Sequence, residues 1–337
     1  MLKSVVIGSK RKVEIFEHLL ATVNGFDLVG FVDPDDSQNI SMLGEFMFAL
    51  EIASMGDVFF VDRHVKNLPF DVICNLVKMG KHLFFDGYRN WNLGEIETLS
   101  KFKRESNVVI QIGNVLHNKP LFTAALQLVK KPRYIKLEKH CHPPQTGEFA
   151  AWIHTNLYQE IDLIQRTVSS RVRSISARPM FLFGKQTDLL NIHLEFDNDA
   201  IAHITAGRAM EPGTYTLKIF QQDRLYLLNF AANELVEYRT AEQSDQLSLS
   251  ADFDHPELPP ELIRIDRQIM PFDTWKMELR NFGENINNNL TPLTNLEHAL
   301  EVTTTCEWAI DKVQRKYQDL ESNPKQTIAF LWLLKIH

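Results

Sequence analysis

The chain has 337 residues, about twice what one compact domain needs, so two domains are predicted. With 44% hydrophobic and 23% charged residues it is an ordinary globular composition, which excludes long disorder and low-complexity repeats. Its 36 basic and 43 acidic side chains leave a net charge of -7 at pH 7, with no bulk attraction to nucleic acid or anionic membrane.

Cys74, Cys141 and Cys306 form no Cys-x-x-Cys pair, which fits reduced thiols and a cytoplasmic location. The apolar start at Met1 is too short for a signal-peptide core, and the apolar run at 328–336 is too short to span a bilayer. No nucleic-acid or membrane partner is expected.

From residue 1 to about 118, short β-rich runs alternate with helical patterns. Ser4 to Ile7 is an apolar run, and Ile15, Phe16, Leu19, Leu20 and Val23 follow at helical spacing. Leu28 to Val32 is the next strand, ending at Asp33-Pro34. Val58 to Val61 leads to a helix through Val72, Leu76 and Val77, and Leu83 to Phe85 leads to one through Ile96 and Leu99. Val108 to Ile112 is a further strand. Helical connections between strands predict parallel pairing and a doubly wound, Rossmann-like α/β domain over 1–118.

After Pro120 the pattern shifts to hairpins, which predicts an α+β domain over 119–337 with an open, largely antiparallel sheet. Asn191 to Phe196 alternates, turns at Asp197-Asn198-Asp199 and returns through Ile201 to Thr205. Tyr215 to Phe220 and Leu225 to Leu228 form a second hairpin. Residues 240–262, with Pro256, Pro259 and Pro260, read as a surface excursion. The last helix, about 294–317, is expected to open with a capping box between Thr294 and Glu297, and is a candidate to pack back on the first domain.

Several segments, in order and spacing, resemble the glucose-fructose oxidoreductase and inositol dehydrogenase (Gfo/Idh/MocA) family. These are Phe31-Val32-Asp33-Pro34-Asp35, Gly80-Lys81-His82, Val109 to Asn114, Pro132-Arg133-Tyr134-Ile135 and Gln159 to Leu163. The resemblance implies an N-terminal domain for NAD(P) and a C-terminal domain that holds a sugar, cyclitol or related substrate. It also implies a homo-oligomer formed through the C-terminal sheet. Tyr215, Leu217 and Ile219, with Leu225 and Leu227 nearby, are expected on the outer face of that sheet; the alternative is that these residues pack on the domain's own helices.

The motifs that carry the family's chemistry depart from its pattern. A G-x-G-x-x-G loop needs glycine for the turn, for close backbone approach to the pyrophosphate and for helix packing. Here the six positions read Gly8, Ser9, Lys10, Arg11, Lys12 and Val13. Either the loop has lost its cradle, or its cations supply charge to phosphate at a helix N-terminus. Asp33 stands where a carboxylate meets the ribose hydroxyls of NAD and repels a 2′-phosphate, or is simply an acidic turn residue. If a dinucleotide binds, NAD(H) is the expected form, with Gly8, Ser9, Lys10, Arg11, Asp33, Asp86 and Gln111 as its candidate contacts.

The family's Glu-Lys-Pro is matched by Asp86-Gly87-Tyr88, which keeps a carboxylate and loses the lysine. Its His-x-x-Asp is matched by Gln159 and Asp162, and a glutamine amide exchanges no proton near neutral pH. The remaining proton carriers are Tyr88, His154 and Asp162. His140 and His142, two apart on a strand, share a face; without a third ligand at recognisable spacing no metal is predicted, and they join Gln159 and Asp162 as candidate contacts for a sugar-like ligand. Losses from both cofactor binding and proton transfer favour a ligand-binding, regulatory or scaffold role with weak or absent hydride transfer. The alternative is an active NAD(H)-dependent oxidoreductase using replacement residues.

Overall fold

The computed structural model describes residues 1–34, 45–65, 67–89, 91–140, 157–180, 182, 188–207, 213–240 and 262–322. They divide into two compact units. The first comprises Met1–Lys119 and Pro271–Thr304, and the second Pro120–Met270 and Thr305–His337.

The first unit contains strands β1 (Leu2–Ile7), β2 (Phe26–Val32), β3 (Val58–Val61), β4 (His82–Phe85) and β5 (Ile110–Ile112). Helices α1 (Lys10–Ala21), α2 (Glu45–Met55), α3 (Phe70–Lys78) and α4 (Leu93–Ser106) connect or flank them. All strands pair in parallel in the order β2-β1-β3-β4-β5, as the helical crossovers require. Chain order reverses at β1, which pairs with both β2 and β3. This is the topological switch point, beyond whose strand carboxyl ends such sheets bind ligands.

Alternation along β1 sends Val5 and Ile7 to one core and Val6 to the other. The first core gathers Phe59, Val61, Phe85 and the apolar faces of α2 to α4. The second is a cluster of Phe16, Phe26, Phe60, Phe84 and Phe282. Phe282 lies on α7 (Thr274–Asn287) and stacks on Phe26, with ring centroids 6.2 Å apart and planes 13° from parallel. That burial is why residues 271–304 pack with the first unit although they follow the second in sequence. Leu296 and Ala299, at the start of α8 (Leu296–Ser322), complete the other core.

The N-cap expected at Thr294 falls one residue later, as a single bond rather than a box. Asn295 accepts the His298 amide at 2.9 Å, its short side chain reaching the third residue of the helix. A full box does form at α4, where Asn92 and Glu95 bond reciprocally at 2.9 Å.

The second unit holds an eight-stranded sheet, order β13-β12-β11-β10-β6-β9-β8-β7. Its strands are β6 (Tyr134–His140), β7 (Val172–Met180), β8 (Leu189–Phe196), β9 (Ile201–Gly207), β10 (Tyr215–Gln221), β11 (Arg224–Asn229), β12 (Glu234–Thr240) and β13 (Leu262–Arg267). Only the β6–β9 pair is parallel. Helices α5 (Pro120–Leu128) and α6 (Tyr158–Val168) belong to this unit. Both predicted hairpins form, β8–β9 and β10–β11. The excursion assigned to 240–262 falls mainly on 241–261, and the apolar tail on 328–336; both lie outside the described residues.

One face assignment is corrected. Leu217 and Ile219 are fully buried, paired with Leu137 and Ile135 of β6, and so belong to the core rather than to an outer surface. Period-2 alternation separates two faces without saying which one is covered. Phe220, Leu225 and Leu227 occupy the opposite face and are half-buried.

Candidate functional site

In the first unit the functional residues collect at the carboxyl ends of β1, β3 and β4. Gly8 follows β1 and is buried, and a Cβ built there would stand 2.8 Å from Asp62 Cβ, so close packing on β3 requires glycine. Ser9 is the N-cap of α1, extended at φ -62° and ψ 154°, and its side chain makes no capping bond. Lys10 and Arg11 are exposed on the first turn. Val13 packs beside the phenylalanine cluster, filling the place where a third glycine would let helix and sheet approach.

Lys12 points inward and forms an ion pair with Asp86 at the end of β4, whose side chain is only 1% exposed. The other oxygen of Asp86 accepts the Arg63 amide at 2.6 Å. Asp62 accepts the His64 amide at 2.9 Å, while Arg89 donates to the carbonyls of Asp62 and Val65, each at 3.1 Å. Arg63 Nε donates to His64 Nε2 at 3.0 Å. Burial, and then the neighbouring Arg63 charge, hold the His64 imidazole below its ordinary range, which suits an acceptor.

Tyr88 is half-buried and packs against the first core. Asp33 is half-buried just past β2. Gln111, buried on β5, is met by the Asn285 amide of α7 at 3.5 Å. Asp62, Arg63 and Arg89 escaped sequence reasoning because they follow different strands and meet only when the sheet forms.

Of the three glycine positions in the loop, Gly8 alone carries glycine. Lys10 and Val13 occupy the other two positions, and the Lys12 ammonium is held by Asp86.

A second constellation lies in the other unit. Glu160, fully buried on α6, accepts Lys139 Nζ of β6 at 2.6 Å and the Tyr215 hydroxyl of β10 at 3.2 Å, both on Oε1. Its Oε2 is buried and has no hydrogen-bond partner among the described residues. Burial first, then the Glu160 charge, push the Tyr215 phenol well above its ordinary value. Lys139 Nζ also stands 5.2 Å from the Tyr215 ring centre.

Asp162 is fully buried on the same helix, and Gln159 is half-buried. Gln165 donates to Thr305 at 3.0 Å. The Cys306 thiol is pushed far up, chiefly by burial and then by the charges of Asp162 and Glu160, so it is inert. His140 is 3% exposed at the end of β6, its Nδ1 without a hydrogen-bond partner. His142 and His154 lie outside the described residues. The available signal for Glu160 was its place between Leu157 and Ile161 on a strongly apolar helix face, where a carboxylate demands a partner.

No known family model matches the sequence, and no curated protein matches it. Solved structures do match its fold. UDP-N-acetylglucosamine 3-dehydrogenase GnnA from Acidithiobacillus ferrooxidans aligns over 93% of this chain and 98% of its own, at 15% identity and a TM-score of 0.78. The dehydrogenase MviM from Clostridium difficile covers 93% and 99% at 15% identity, with a TM-score of 0.71. An oxidoreductase from Agrobacterium radiobacter, solved with NAD+, L-tartaric acid and magnesium, covers 93% and 96% at 12% identity, with a TM-score of 0.68. The chain therefore has the Gfo/Idh/MocA fold, a Rossmann-like parallel sheet together with a largely antiparallel one. Among the described residues, no helix is long and apolar enough to cross a membrane.

Proposed function

We propose that the protein is a ligand-binding, regulatory or scaffold protein on an oxidoreductase fold, without hydride transfer by the usual constellation. The observation that carries this reading is the ion pair of Lys12 with the buried Asp86, at the switch point where a dinucleotide would lie. Hydride transfer needs a held cofactor and a group that moves a proton in the same step. Here the phosphate loop is replaced, Gln159 stands at the histidine position, and Tyr88 at the matched triplet packs on the core. A small hydroxylated, sugar-like ligand is the class we assign to the second unit, with His140, Gln159 and Asp162 as its contacts.

Calorimetric titration with NADH and NADPH tests the reading. We expect no heat of binding up to millimolar cofactor, and micromolar NADH binding would overturn it. Gly8 and Asp33 support a second reading, an NAD(H)-dependent oxidoreductase acting on a sugar or cyclitol; under it, NADH binds more tightly than NADPH. We also infer that copies of the chain associate through the sheet face that carries Phe220, Leu225 and Leu227. A monomeric mass by light scattering at micromolar concentration would refute that association.

A further inference from the structure

A pair of histidines in the first unit belongs to none of the chemistry above. His117, 7% exposed, follows β5, and His298 sits in the first turn of α8. Their ring centres are 6.0 Å apart, and each ring presents a nitrogen within 4.8 Å of one on the other.

The backbone under both rings is fixed by buried polar anchors. On the His117 side, Glu278 of α7, 1% exposed, accepts the Asn114 amide at 2.8 Å. The Asn114 side chain accepts the Leu116 amide at 3.1 Å, and its carbonyl accepts the His117 amide at 2.9 Å. On the other side, Asn295 accepts the His298 amide at 2.9 Å. The Ile112 amide donates to the Thr294 carbonyl at 2.9 Å, tying the end of β5 to the segment that enters α8. Two tight turns, each set by an asparagine, thus hold two imidazoles near one another with their planes inclined at 56°.

Imidazole nitrogens are borderline donors suited to zinc, cobalt and other divalent transition metals. Two nitrogens on one tetrahedral zinc stand about 3.3 Å apart, given a zinc–nitrogen bond of about 2.05 Å. The two nitrogens lie within 4.8 Å of one another, a limit somewhat wider than that spacing. We propose that His117 and His298 supply two ligands to a divalent transition-metal site. This goes beyond the proposed function and does not depend on it.

The probe is Co2+ alone, followed by its visible d–d absorption, with Zn2+ as competitor. Wild-type protein is expected to take up one equivalent at micromolar concentration. His117→Ala and His298→Ala should each weaken binding by roughly tenfold or more. Circular dichroism checks that each variant is folded. A second histidine pair serves as the control: His193 and His203, joined at 2.8 Å across β8 and β9. Absence of a cobalt spectrum in the wild type would overturn the proposal, and so would loss of the bound equivalent in His193→Ala rather than in His117→Ala.

Discussion

The two charged constellations handle buried carboxylates in opposite ways. Asp86 has both oxygens engaged, one by the Lys12 ammonium and one by the Arg63 amide. Glu160 has its two donors crowded on one oxygen while the other is buried without a hydrogen-bond partner among the described residues. A buried carboxylate costs little only when paired and fully hydrogen-bonded. The carboxylate at the end of β4 is therefore satisfied by its own neighbours, whereas the second unit keeps an acceptor that no described residue meets.

The contrast breaks most visibly at Lys139. Replacing it by methionine leaves the Glu160 charge without its cation, and we expect a loss of about 4 kcal/mol in urea unfolding. Adding Glu160→Gln should recover most of that loss; a Lys139→Met protein as stable as wild type would mean that the pair is not formed. At the first sheet, Asp86→Asn keeps the shape and removes the charge, so we expect a smaller loss of about 2 kcal/mol.

Tyr215 sharpens the comparison through pH. Its phenol ionises in the unfolded chain near pH 10 but resists ionisation in the folded one. The folded state then holds the proton longer, so stability should fall as pH rises above 10. In Tyr215→Phe that part of the slope should vanish. The smallest effect is expected at the α8 cap, where Asn295→Ala should cost about 1 kcal/mol and Thr294→Ala less, reversing the order a Thr294 cap would give.

Much of the fold was legible because strand and helix periods differ and the motifs keep their order. The parallel pairing of β1 to β5 and both hairpins followed from that pattern. The α8 cap did not, since Thr294 and Asn295 both have capping side chains and only the path of the chain selects one. Leu217 and Ile219 were placed on the wrong face because alternation is symmetric until a helix covers one side.

At the candidate site, the replaced glycines and Asp86 could be read directly, being single positions in a known order. The Lys12–Asp86 ion pair joins helix α1 to the end of β4, and the Lys139–Glu160–Tyr215 group joins two strands and a helix. The His117 and His298 anchors run through Asn114, Glu278 and Asn295. Such groups are made by tertiary closure, and no local spacing announces them.

The central claim is that the first unit's switch point is closed to dinucleotides by its own residues. Its most direct test is nicotinamide fluorescence during NADH titration of the wild type beside a Lys10→Gly/Lys12→Ser/Val13→Gly variant. We expect no change in the wild type up to millimolar NADH, and enhanced fluorescence in the variant whose glycine cradle is restored. Micromolar binding by the wild type would contradict the claim.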